Sequence, residues 1–142
     1  MKDWRSQTHV RWECTYHVVI VPKYRKKILY VKLRRSIGQM LRQLCHQKGM
    51  ELEDGKAEAE HIHMLLSVPP KFSMAMTIGH LKAKSAIQIH RQLLETQGSL
   101  FGRSFWARGY FVSTVGIDEG KIRHYIKEQE ELQKEQIALD FD

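Results

Sequence analysis

An α+β domain built on one antiparallel sheet is the fold class this sequence predicts, and three observations predict it. Short β-branched runs and longer stretches of helical periodicity follow in the order strand, helix, strand, strand, helix, strand. Proline or glycine punctuates the junctions at Pro22, Gly49 and Pro69-Pro70. A further helical stretch lies beyond the last strand. A chain of 142 residues suits a single domain, here 1–142, with a core over about 13–115 and the extra helix over 118–136.

The first strand is predicted from about Glu13 to Val21, where Thr15, Val18, Val19, Ile20 and Val21 supply β-branched side chains and Pro22 stops the run. A helix follows from about Val31 to Lys48. Its stripe of Leu33, Ile37, Met40, Leu41, Leu44 and Cys45 repeats at three-to-four spacing, and Gly49 ends it. A second strand runs from Met50 towards Ala59, bent near Asp54-Gly55, and a third from His61 to Val68. Ser73 can cap a second helix from Met74 to about Leu94, with Met74, Ile78, Leu81, Ile89 and Leu93 facing the core. Thr96 to Ser99 form a loop, and a fourth strand spans about Phe105 to Thr114, with Gly109 inside it. Asp118 can cap the last helix, stapled by Ile117 and Ile122 and ending near Gln136 before a short mobile tail. This is the βαββαβ order of the ferredoxin-like split fold: an antiparallel sheet with two helices on one face, plus an extra C-terminal helix.

Composition narrows the function. The chain is 42% hydrophobic with no apolar run near the roughly 20 residues that cross a bilayer, so no membrane role is expected. Met1 to Val10 is polar and charged, unlike a secretory signal. The two cysteines, Cys14 and Cys45, read as small buried hydrophobes, which fits a reducing cytoplasm. A net charge of +7 favours a polyanionic partner. Lys23, Arg25, Lys26, Lys27, Lys32, Arg34 and Arg35 crowd into one stretch, while acidic residues gather at Glu51 to Glu60 and at the carboxyl end. Lys23, Arg25, Lys82, Lys84 and Arg108 are the candidate phosphate contacts, and Tyr24 or Phe72 could stack on unpaired bases.

The chemistry resides in two short patterns. His61 and His63 flank Ile62, and on a strand side chains two apart share a face, so the imidazoles stand together. Tyr125 and Gln129 lie four residues apart on the last helix and share one of its faces, with Lys121 a turn earlier. Two neutral imidazoles and an amide oxygen leave coordination positions open, which suits Mg²⁺ or Mn²⁺ bridging to a phosphate. Tyr125 would then be the nucleophile towards a phosphodiester, and Lys121 could lower the phenol's pKa or hold a phosphate. Taken one at a time the features are ordinary. A strand can carry two surface histidines, and a tyrosine beside an isoleucine stripe usually packs at a core rim. His17, His80 and His124 read as structural or surface residues, and Trp106, Tyr110 and Phe111 as packing.

The chain resembles the HUH-type single-tyrosine transposases of small bacterial and archaeal insertion sequences, the IS200-like group. The matching pieces are Tyr16 to Arg25, Glu60 to Leu66, Pro69-Pro70, Ile78 to Ser85, Phe105 to Gly116 and Tyr125 to Gln129, in order over nearly the whole chain. The resemblance implies a homodimer that recognises hairpin ends of single-stranded element DNA, cleaves through a 5′-phosphotyrosine and rejoins the ends. It implies Tyr125 as the catalytic residue on the C-terminal helix and His61, His63 and Gln129 as metal ligands. It also implies sites shared between protomers, and a cytoplasmic protein associated with the nucleoid when bound to DNA. Where the family often has Asp or Asn near the histidines, this chain has Glu58 and Glu60, and Ala83 stands where a glycine is usual between the two helix lysines. Two other readings share the fold: a domesticated relative cutting genomic repetitive palindromes, and a non-catalytic nucleic-acid-binding module.

Overall fold

The computed structural model describes residues 5–7, 10–12, 14–93, 105–114, 116 and 118–141. A short hairpin opens the chain, β1 (Arg5–Gln7) against β2 (Val10–Trp12), which the polar N-terminal sequence did not announce. The central sheet is built from β3 (Thr15–Ile20), β4 (Glu51–Ala57), β5 (Ile62–Ser67) and β6 (Phe111–Ser113). Its spatial order is β4-β5-β3-β6 and every neighbouring pair is antiparallel. With α1 (Lys27–Gln47) and α2 (Met74–Gln88) between strands, this is the expected split βαββαβ topology.

Burial divides the sheet into two faces. Val18, Ile20, Ile62, Met64 and Leu66 point to one side and meet Ile37, Leu41 and Leu44 of α1 and Ile78 and Leu81 of α2 in the main core. The alternate residues point to the other side, where Val19 and Val21 meet Ile122 and Ile126 of α3 (Glu119–Phe141) and Ala107. The extra helix therefore covers the face that α1 and α2 leave open. Such a division follows from period-two alternation, because each strand must serve both layers.

Several element boundaries differ from expectation for identifiable reasons. A 3₁₀ turn (Tyr24–Lys26) leads directly into α1, which starts at Lys27 rather than Val31. Its first turn is held from outside: Lys27 bonds to Glu130 of α3 and lies 3.5 Å from Glu60. Gly49 adopts φ +76° just past the end of α1, a conformation that favours glycine. The bend expected in β4 is a register irregularity between Leu52 and Asp54. Ser73 caps α2, its hydroxyl accepting from the Met76 N–H at 3.1 Å, and the helix widens into a π turn at Ile89–Leu93. Asp118 caps α3 through bonds from the N–H groups of Gly120 and Lys121. This last helix continues to Phe141, so no separate tail begins after Gln136. The loop expected at Thr96 to Ser99, and Ile117, lie outside the described residues.

The fourth strand departs most. Phe105 to Ala107 runs along Val21 to Lys23, with bonds of 2.8 Å from Lys23 N to Phe105 O and from Ala107 N to Val21 O. Pairing resumes only at Phe111. From Val19 to Pro22 is three steps, whereas their partners Phe111 and Trp106 are five apart, so this segment carries two residues in excess. The excess forms a bulge whose Gly109 has φ +79°. Both cysteines are free, Cys45 buried in the core and Cys14 half-buried just ahead of β3.

Candidate active site

Register places the histidine pair. Val19 of β3 lies opposite both His63 of β5 and Phe111 of β6, and directly opposed residues share a face. His63 therefore stands on the α3 side of the sheet. His61 sits just before β5, at a corner that α1 secures. The Tyr30 hydroxyl is 2.6 Å from the carbonyl oxygens of both Glu58 and His61, and the Glu58 N–H donates to His61 O at 2.9 Å. Tyr30 is fully buried, and its role was not legible in the sequence, where it preceded the predicted helix.

Both imidazoles line a cleft of about 540 Å³, bounded by Lys56, Glu58 and Glu60 on one side and by Ile122 and Arg123 of α3 on the other. Burial lowers the pKa of each. Glu58 and Glu60 oppose that shift at His61, while His17 and His61 reinforce it at His63. Neutral imidazole is the form that binds a metal. His61 Nδ1 is buried with no hydrogen-bond partner among the described residues, so a ring nitrogen there is unclaimed by the protein. These two residues fit a divalent cation. Among the described residues, no group of three His, Cys, Asp or Glu side chains converges into a closed metal cage. Glu58 and Glu60 are exposed, and Glu60 is paired with Lys27.

One histidine expected to be structural lies at this site. His17 Nδ1 is 3.2 Å from His63 Nε2, their ring centroids 5.4 Å apart. The strand alternation put His17 on the same face as Val19, but only the register between β3 and β5 brings it beside His63.

Tyr125 and Gln129 sit together elsewhere along α3. A Cβ built on Gly109 would lie 3.6 Å from Tyr125 Oη and 3.9 Å from Gln129 Nε2, so both side chains rest over the glycine of the bulge. The Tyr125 hydroxyl has no hydrogen-bond partner among the described residues, and burial pushes its pKa up to about 12. Its ring packs near Phe111, and it lines a second cleft with Asp118, Lys121, His124 and Glu128. The structure thus joins tyrosine to glutamine, and histidine to histidine, on different clefts of one chain. Lys121 is exposed at the rim of the tyrosine's cleft.

The candidate phosphate contacts divide. Arg25, Lys84 and Arg108 are exposed, and Lys23 is half-buried. Lys82 is committed to the protein: its ammonium donates to Ala107 O at 2.7 Å and to Gly109 O, and burial pulls its pKa down to about 8. It shapes the bulge beneath Tyr125 instead of standing free for phosphate. Trp106 is buried as expected, its indole N–H bonded to Ser85 at 2.9 Å, while Tyr110 and Phe111 are half-buried.

A ferredoxin-like sheet here carries a histidine pair and is overlaid by a helix that carries tyrosine and glutamine. The family model described as "Transposase IS200 like" matches residues 10–129, and the chain belongs to that family. Over 143 aligned residues it is 42% identical to the transposase for insertion sequence element IS200 of Salmonella typhimurium, covering 99% of this chain and 94% of that one. It is 26% identical to the ISDra2 transposase TnpA of Deinococcus radiodurans over 119 residues, 83% of this chain and 85% of the relative. A crystal structure of a protein from D. radiodurans R1 assigned as a transposase superposes with a TM-score of 0.73, covering 88% of this chain and 97% of the other. At 24% identity that likeness carries the fold alone. The protein is a transposase, and DNA is accordingly its partner. No helix among the described residues is long and apolar enough to cross a membrane.

Proposed function

We propose that this transposase cuts and rejoins single-stranded DNA at hairpin ends, through a 5′-phosphotyrosine at Tyr125. The observation that carries this reading is the phenol of Tyr125 beside Gln129, its buried hydroxyl without a hydrogen-bond partner among the described residues, on the helix that lies over the histidine-bearing face. Tyr125 Oη attacks phosphorus and the 3′ oxygen departs, taking up a proton as a free hydroxyl. The phosphotyrosine retains the bond energy, so a 3′ hydroxyl of another end displaces the phenol and reseals DNA without ATP. A Mg²⁺ or Mn²⁺ held here would polarise a non-bridging phosphate oxygen. His61, just before β5, and His63 on it would hold the cation, with Gln129 as the helix ligand.

In one chain the tyrosine and the histidines line separate clefts, which favours a homodimer in which Tyr125 of one protomer serves His61 and His63 of its partner. Lys23, Arg25, Lys84 and Arg108 contact DNA phosphates, and Lys121 holds a phosphate beside the phenol. The decisive experiment mixes the protein with a single-stranded end hairpin and Mg²⁺ and looks for a denaturation-resistant protein–DNA adduct. Tyr125→Phe abolishes the adduct and leaves hairpin binding nearly intact; an adduct surviving in that variant moves the nucleophile elsewhere. His61→Ala loses metal-dependent cutting while keeping the fold, and cutting that runs unchanged with a chelator overturns the metal's role.

A further inference from the structure

We propose that His17 is a positioning residue for the metal site, its Nδ1 accepting a hydrogen bond from His63 Nε2 and so leaving His63 Nδ1 free as the donor to a cation. This rests on the metal reading given above. The geometry is the 3.2 Å separation of the two nitrogens, fixed by the β3–β5 register. Two neutral imidazoles can share that contact in only two ways. If His17 donates, His63 accepts on Nε2 and keeps its proton on Nδ1, and neither of its nitrogens has a lone pair for a metal. If His63 donates, its Nδ1 lone pair is open towards the cleft it lines with His61.

The second arrangement alone is compatible with a ligand at His63. In the neighbouring His61, Nδ1 is the buried nitrogen left without a partner among the described residues. Metal-bound histidines commonly use their other ring N–H to reach an acceptor that fixes tautomer and orientation, ordinarily a carboxylate or carbonyl. Asp54, the carboxylate whose charge acts on His63, is exposed and accepts from the Gly55 N–H, while Glu58 and Glu60 are exposed and Glu60 is engaged with Lys27. A histidine from the next strand fills the acceptor's place.

The test uses full-length protein labelled with ¹⁵N at histidine, read by long-range proton–nitrogen correlation without metal at a pH where the imidazoles are neutral, and Mn²⁺ titration by calorimetry. Wild type is expected to show His63 as the Nε2–H tautomer. His17→Phe keeps a ring but removes the acceptor; the tautomer preference is lost and Mn²⁺ affinity falls by about 10- to 100-fold. His17→Asn, whose amide oxygen can accept in place of Nδ1, recovers most of the tautomer preference and the affinity. A wild-type His63 protonated on Nδ1 overturns the proposal, as does a His17→Phe protein that binds Mn²⁺ within twofold of wild type. A wild type that takes up no Mn²⁺ sinks the metal reading itself, and this role with it, whereas equal binding by wild type and His17→Phe refutes His17 alone. Thermal melts of each variant separate a lost fold from a lost acceptor.

Discussion

Tyr125 rests with its phenol protonated, because burial opposes the phenolate. A folded-state value near 12 against an ordinary 10 carries a sign for stability. Below pH 10 the folded and unfolded chains hold the same proton, and the contribution of the buried phenol is fully present. As pH rises from 10 through 12 the unfolded chain ionises first, and that contribution is lost. Urea unfolding should therefore show wild type losing stability relative to Tyr125→Phe across this window, and parallel curves would mean the phenol is solvated. The residue types of the site were legible in the sequence, since His-Ile-His and Tyr-x-x-x-Gln spacings need only a strand and a helix. Their partners were not. His17 and Tyr30 act through register and through a corner between strands, which no local pattern specifies.

At the scale of elements, α1 does more than fill the core. Tyr30, in its first turns, holds the carbonyls at the Glu58–His61 corner and so sets where His61 enters the site. Tyr30→Phe should lower stability by about 1 to 2 kcal/mol, since a buried acceptor loses its donor. It should also weaken Mn²⁺ binding; unchanged urea midpoint and affinity would show the corner is held by other contacts. The helices were readable because their apolar stripes are long and periodic, and Leu41, Leu44, Ile78 and Leu81 are buried as the spacing required. The fourth strand was not. Its sequence from Phe105 to Thr114 reads as one β run, yet Lys82 draws two of its carbonyls aside and Gly109 takes a positive φ. That interruption comes from a helix about 25 residues earlier in the chain, beyond any window of alternation.

The whole molecule puts its proposed nucleophile and its proposed histidine ligands on different clefts, so a composite site between two copies makes a direct prediction. Tyr125→Phe and His63→Ala chains, each inactive alone, should regain part of the adduct-forming activity when mixed and allowed to exchange subunits. No recovery in the mixture would favour sites completed within one chain. The overall topology was legible from element order alone. The hairpin of β1 and β2 and the continuation of α3 to Phe141 were not, for each spans too few residues to show a period of its own.

The two thiols, finally, have unequal fates. Cys45 is sealed among core side chains and burial pushes its pKa up to about 12, so it resists alkylation, whereas Cys14 keeps part of its surface in solvent. The native chain consequently offers one attachable sulfur at the root of β3. An assembly of two copies would carry two such handles, giving a spin-label pair and a single intersubunit distance with no engineered mutation.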